Sequence, residues 1–200
     1  MTERMEGAER PFLVCCVEEP SAREMLLGVL PRLGLQVYQD FQVITFEGKQ
    51  DLEKRLSIRL RAWQRPNSVF LILRDQDSGD CYEVKQGLLD TLLNSGQTGL
   101  VRIACRELES FYLGDLQAVA MAMEMPQLGR QQSKRKFRFP DDLNNAKQEL
   151  MNLTKNKYQE VAGSRAIAPF LNLNVDESGN CSRSFYHLIK GINQILILDY

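Results

Sequence analysis

Carboxylates recur just past the ends of apolar runs in this chain. Val69–Leu73 stops at Arg74 and is followed by Asp75, Asp77 and Asp80. Phe12–Val17 is followed at once by Glu18 and Glu19, and Leu100–Cys105 leads into Glu107 and Glu109. Carboxylates gathered in one cleft repel one another unless protons or a divalent cation intervene. Hard oxygen donors without His or Cys among them suit Mg²⁺ or Mn²⁺. The competing expectation is that such acids cap the helices that follow, as Asp80 before Cys81 or Glu107 and Glu109 in a first helical turn. As a set they favour metal ligation by Glu18 or Glu19 with Asp75 and Asp77, while Glu107 or Glu109 binds a second ion or orients water. Arg74 opposes this reading, because a guanidinium beside the D-x-D can neutralise the acids without a metal.

Cations are the next group. Lys49, after Gly48, and Lys85, one turn beyond Asp80, are expected either to touch a phosphate as point charges or to be solvated helix lysines. The run Lys134, Arg135, Lys136, Phe137, Arg138 interleaves an aromatic with charge, as grooves for single-stranded nucleic acid do, although charge runs are commonly solvated loops. His187 lies among Phe185, Tyr186, Leu188 and Ile189 and reads as a packing residue. Ser182 and Ser184 precede the last helix as N-cap candidates. The five cysteines are scattered and never spaced C-x-x-C, and with one histidine they form no zinc pattern.

Positioning these groups requires strands and helices in alternation. Phe12–Val17, Phe41–Phe46, Val69–Leu73 and Leu100–Cys105 are expected strands. Ser21–Leu33, Lys49–Trp63 and Cys81–Leu93 are expected helices, the first stopped by Gly34. Strands of continuous apolar character, separated by helices, mean a mostly parallel sheet with helices on both faces. In such sheets ligands gather outside the carboxyl ends of the strands, where the acids stand. Residues 10–125 are therefore expected to form an α/β core. Residues 126–140, proline-bounded and basic, are expected as a surface loop, and residues 141–200 as a helical extension packed on the core. Within that extension, Asp141–Asn152, Lys155–Leu171 and Ser184–Ile195 read as helices, the middle one kinked or ended by Pro169.

The bulk properties exclude little. Two hundred residues with 44% hydrophobic and 26% charged side chains and a net charge of −1 describe an ordinary globular chain. MTERMEGAER has no apolar h-region, and no apolar run approaches the roughly 20 residues that span a bilayer. A reduced, cytoplasmic protein with no membrane contact is the expectation. No G-x-x-x-x-G-K-[ST] is present, so no P-loop is expected.

The order of Glu after strand one, D-x-D after strand three and further acids after strand four resembles the Toprim domain, a Mg²⁺-binding, Rossmann-like fold of topoisomerases, primases and overcoming-lysogenization-defect nucleases. "VEEPSAREMLLGVLP", "GKQDLEKRL", "RDQDSGDCYEVK", "RIACRELESFYLGDLQAV" and "SRSFYHLIKGI" are similar, in order from residue 17 to about 192, to the blocks of domain-of-unknown-function family 4276, a Toprim-like bacterial group. The resemblance implies a Toprim glutamate at Glu18 or Glu19, a metal-binding pair at Asp75 and Asp77, and an E-L-E-x-W block at Glu107 and Glu109. Two positions depart from it: Arg106 where the family usually has an acid, and Phe111 where it has tryptophan. The family is often encoded beside an ATPase, which implies anti-phage defence. The expected function is a Mg²⁺-dependent nuclease acting on DNA or RNA, the effector of a two-component ATPase-linked system. The alternative is a catalytically inactive Toprim-like regulatory or interaction subunit of an ATPase complex.

Overall fold

The computed structural model describes residues 10–197; the polar N-terminal segment before residue 10 and residues 198–200 of the expected extension lie outside them. Four parallel strands form the sheet: β1 (Phe12–Val17), β2 (Phe41–Thr45), β3 (Ser68–Asp75) and β4 (Gly99–Ala104), in the order β2-β1-β3-β4. The crossovers are α1 (Pro20–Val29), α2 (Lys49–Arg61) and α3 (Cys81–Asn94). Each begins and ends where local chemistry dictates. Pro20 occupies the first turn of α1, and Gly34, at φ 83°, closes the 3₁₀ turn that continues it. Asp80 caps α3 by accepting from the amides of Tyr82 and Glu83, so the capping expectation holds for this acid.

Alternation along the strands divides the interior into two cores. Phe12, Val14, Cys16, Phe70, Ile72, Val101 and Ile103 face α2 and α3, meeting Leu52, Leu56 and Leu60 at helical spacing and Leu88 and Leu92. Leu13, Cys15, Val17, Leu71 and Leu73 face α1 and the C-terminal helices. Burying each such leucine contributes about 1.5–3 kcal/mol. Because β1 and β3 are covered on both sides, they read as continuous apolar runs.

After β4 the chain turns helical: α4 (Glu109–Leu113), α5 (Leu116–Ala122), α6 (Arg135–Arg138), α7 (Ala146–Leu153), α8 (Glu160–Ile167) and α9 (Arg183–Ile197). The expected loop over 126–140 is instead a 3₁₀ stretch, Pro126–Ser133, followed by α6, and it buries Leu128, Phe137 and Pro140. The helix expected from Lys155 begins only at Glu160, because Lys155 and Asn156 are left-handed (φ 53° and 61°). The helix expected from Asp141 begins at Ala146, after a 3₁₀ turn at Pro140–Asp142. Ser182 rather than Ser184 caps α9, its Oγ accepting from the amide of Phe185 (3.1 Å). Among the described residues no helix is long and apolar enough to cross a membrane.

Candidate metal centre

The register of β1 on β3 decides which acids meet. Cys16 pairs with Ile72 and Val17 with Leu73. Continued past the strand ends, it sets Glu18 beside Arg74 and Glu19 beside Asp75. Alternation then sends the two pairs to opposite faces of the sheet.

On the α2–α3 face Arg74 is 4% exposed and surrounded by carboxylates. Its Nη1 donates to Glu53 Oε1 (2.9 Å), Nε lies 3.6 Å from Glu18 Oε2 and Nη2 lies 3.8 Å from Asp77 Oδ2. Lys49 Nζ adds a second cation, 3.8 Å from the same Asp77 oxygen. The Glu18 contact is an ion pair without a hydrogen bond: Glu18 Oε2 and Arg74 Nε and Nη2 are buried and unpartnered. Burial and Asp77 therefore push the Glu18 carboxyl upward, and Arg74 only partly opposes them.

On the other face the nearest cation, Lys147, is paired with Glu160 and reaches Glu109 and Glu19 only through space. The half-buried Asp75 accepts one hydrogen bond, from the amide of Leu108 (3.1 Å), and no cation among the described residues pairs with it. Burial, then Glu19 and Glu109, hold its proton affinity well above the ordinary carboxylate range. Glu109, 3% exposed at the start of α4, is raised to about 7 by burial, with Glu19 and Glu107 adding to the rise. The hydroxyl of Tyr158 donates to Glu109 Oε1 (2.8 Å) and restrains that rise. Gly163 makes this contact possible, since a Cβ there would collide with the Tyr158 ring. Glu19 accepts from Ser21 Oγ, and Glu107 Oε2 accepts from the amide of Lys147 (2.8 Å).

Asp75 and Asp77, two apart, do not share a face. Asp77 is left-handed (φ 56°), and so is Arg106 (φ 64°) after β4; the amide of Asp77 donates to the Arg106 carbonyl (3.0 Å). Non-glycine residues in this region cost roughly 1–2 kcal/mol each, and such strain concentrates at functional sites. The kink turns Asp77 back toward Arg74 and opens a hollow of about 310 Å³ bordered by Asp77, Arg106 and Glu107.

The six expected acids thus stand at one edge of the sheet as a chain of neighbours, Asp77 beside Glu18, Asp75 beside Glu19 and Glu109, and Glu107 beside Glu109. Lys85 does not join them; it lines a different cavity on the β4 side. The basic run is elsewhere too. Its aromatic, Phe137, is fully buried and unable to stack a base, and Lys136 pairs with Glu149. Glu53 and Tyr158 escaped the sequence reading. Glu53 carries a weak signal, one turn after Lys49 on the same helix, whereas Tyr158 lies 49 residues from Glu109 and carries none.

In donor type and charge these residues fit a hard divalent cation. The raised proton affinities of Asp75 and Glu109 are the signs of buried anionic groups without an ion-pair partner, and Glu18 Oε2 is a buried acceptor without a hydrogen bond. Among the described residues no three of these side chains converge closely enough to hold an ion as they stand.

No family model and no curated protein matches the chain. Among solved structures it is similar to the C-terminal region of the Burkholderia pseudomallei OLD protein, with a TM-score of 0.54 and 16% identity over 92% of this chain and 96% of that one. The two share an α/β fold: a parallel sheet, helices on both faces, and C-terminal helices packed on it.

Proposed function

We propose that the chain is a Mg²⁺- or Mn²⁺-dependent Toprim-like nuclease, and that the Asp75 side of the sheet is its working centre. The observation that carries this reading is the group of Glu19, Asp75 and Glu109, delivered from β1, β3 and the segment after β4 to one place where, among the described residues, no cation forms an ion pair with any of them. Asp75 and Glu19 would hold the ion, with Glu18 joining by leaving its loose contact with Arg74 and Asp77 standing at the rim. The cation, when bound, supplies Lewis acidity toward a phosphodiester oxygen and toward water. Glu109, with a proton affinity near neutrality and its carboxyl oriented by Tyr158, is suited to take the proton of the attacking water. Glu107, tied to the Lys147 amide, shapes the approach.

The resemblance to family 4276 further supports an effector role in an ATPase-linked anti-phage system, with the ATP chemistry on a partner encoded nearby. Co-purification with that ATPase, and toxicity that depends on it, are the expected outcomes; equal toxicity of the chain alone, without co-elution, would count against the partnership.

A second reading, a catalytically inactive regulatory subunit of such a complex, is favoured by Arg74, which already neutralises one set of acids. Asp75→Asn separates the two. It removes one charge from a repelling group, so the nuclease reading expects a higher melting temperature in EDTA, no stabilisation by Mg²⁺, and cleavage reduced on the order of a hundredfold or more. A destabilised variant that cleaves normally, with no Mg²⁺ response in either protein, would remove the nuclease reading.

A further inference from the structure

A cavity with a largely basic lining lies outside the acidic centre. It is about 560 Å³, runs along the free edge of β4 between α3 and α9, and is bordered by Tyr82, Lys85, Arg102, Arg106, Arg183 and His187. A space of that size accommodates a nucleotide.

Its walls are specific. Arg102 is structural: Nε donates to the His187 carbonyl (2.9 Å) and Nη1 to the Val101 carbonyl (3.0 Å), which fastens α9 to β4. Lys85, Arg106 and Arg183 are in no ion pair among the described residues. Two acids also face the cavity, Asp141 and Asp142. The Asp141 oxygens are occupied by Ser182 Oγ (2.6 Å) and the Ser184 amide (2.8 Å). The balance of available charge is positive. His187 registers it: after burial, Arg102, Arg183, Lys190 and Lys85 all depress its proton affinity. At the mouth stands Tyr82, 83% exposed on the first turn of α3, a large aromatic with no packing role to explain its position. Arg106 borders both this cavity and the hollow beside Asp77 and Glu107, so the two adjoin at that side chain.

We infer that this cavity is the strand-binding subsite for single-stranded nucleic acid, in which Tyr82 stacks an unpaired base while Lys85, Arg106 and Arg183 hold the flanking phosphates. An aromatic platform beside a positive groove recognises single strands of any sequence, because every base has a π-face but a duplex conceals it. The assignment rests on the nuclease reading for which polyanion is present, and on the cavity alone for how it is held. A peptide strand added to the β4 edge is the less favoured occupant, since the Val101 carbonyl already accepts from Arg102 and the Cys105 amide donates to Ser184 Oγ (3.4 Å).

The test is fluorescence anisotropy in EDTA, which removes cleavage from the readout, with a labelled 12-nucleotide single strand and a duplex of the same sequence. Wild type should bind the single strand more tightly than the duplex. Tyr82→Ala should weaken the single strand about five- to a hundredfold and leave the duplex nearly unchanged. Arg183→Glu should weaken both and flatten the salt dependence by about one unit of slope. Both positions are exposed, so circular dichroism should show a wild-type fold. If Tyr82→Ala and Arg183→Glu retain wild-type affinity, or no oligonucleotide binds, the subsite is overturned, in the latter case in favour of a peptide strand. A wild type that cleaves while the two cavity variants bind unchanged sinks this inference and spares the nuclease reading. A wild type that binds as described but never cleaves does the reverse.

Discussion

Arg74 and Asp75 are neighbours on one strand, yet the acids around them live in opposite electrostatic conditions. Around Arg74, Glu18, Glu53 and Asp77 meet a buried guanidinium and, at Asp77, Lys49 as well. Around Asp75, Glu19 and Glu109 meet one another, and the counterweights are a backbone amide, a tyrosine hydroxyl and, through space, Lys147, which is itself paired with Glu160. The alternation of β3 makes the difference, since it sends successive side chains to opposite faces. One edge of one sheet therefore carries a cluster built around its own buried guanidinium and a cluster in which no cation forms an ion pair with the acids. Clusters of acids in a sequence are thus not equivalent as sites: what matters is whether the fold supplies the counter-charge.

The largest effect expected from this contrast is on the Arg74 side. Arg74→Met leaves Glu18 Oε2 buried with no cation, and breaking a buried ion pair by removing one partner costs about 3–5 kcal/mol. Urea denaturation should show a loss of that order; a loss below about 1 kcal/mol would mean that Arg74 does not hold this face together.

Next comes pH, on the Asp75 side. Glu109 rises from its ordinary value of 4.5 to about 7 in the folded protein. The folded state therefore binds more protons than the unfolded one between those values. The stabilisation is fully present below pH 4.5 and is lost as pH rises through about 7, about 3 kcal/mol in all. Asp75 and Glu18 shift the same way, while Glu24, lowered chiefly by its hydrogen bond from Arg165, acts oppositely at the acid end. Metal-free melts from pH 5 to 7.5 should thus fall with pH in wild type and fall less in Glu109→Gln. Parallel curves would show that Glu109 does not titrate in this range.

Tyr158→Phe is a smaller change on the same side. It removes the hydroxyl donor to a buried carboxylate, for which about 1.5–3 kcal/mol is typical. It should also move the Glu109 titration further upward, since the Tyr158 hydrogen bond restrains it. Carboxylate chemical shifts from isotope-labelled protein would measure this, and an unchanged titration would dissociate the tyrosine from the site. Smallest is Lys49→Ala. Its 3.8 Å contact joins two side chains that are each over 40% exposed, and such pairs are worth roughly 0–1 kcal/mol. A melting shift comparable to that of Arg74→Met would mean that Lys49, not Arg74, compensates this face.

Much of the fold was legible because each crossover helix and each strand carries its own local signal. The stripe Leu52, Leu56, Leu60 and the run Val69–Leu73 need no knowledge of the rest of the chain. Legibility fell where conformation depends on a few backbone angles. Lys155 and Asn156 delay α8, and the basic run over 134–138 is held by Phe137, whose burial no local pattern announces. The candidate site shows the same division. Its acids were readable as strand-end carboxylates, whereas the left-handed turn that carries Asp77 toward Arg74 cannot be read from two aspartates.

By itself, then, the amino-acid order determined the alternating α/β plan and the delivery of Glu18, Glu19, Asp75, Asp77, Glu107 and Glu109 to one edge, because apolar periodicity and the positions of strand ends are local properties. Only tertiary structure decided how those charges are shared. Register set Glu19 beside Asp75 and Glu18 beside Arg74, and Tyr158 reached Glu109 across 49 residues. The docking of α9 by Arg102 made a cavity from residues of three separate elements. Electrostatic and hydrogen-bonding energies act over a few ångströms in space, and distance along the chain carries no record of them.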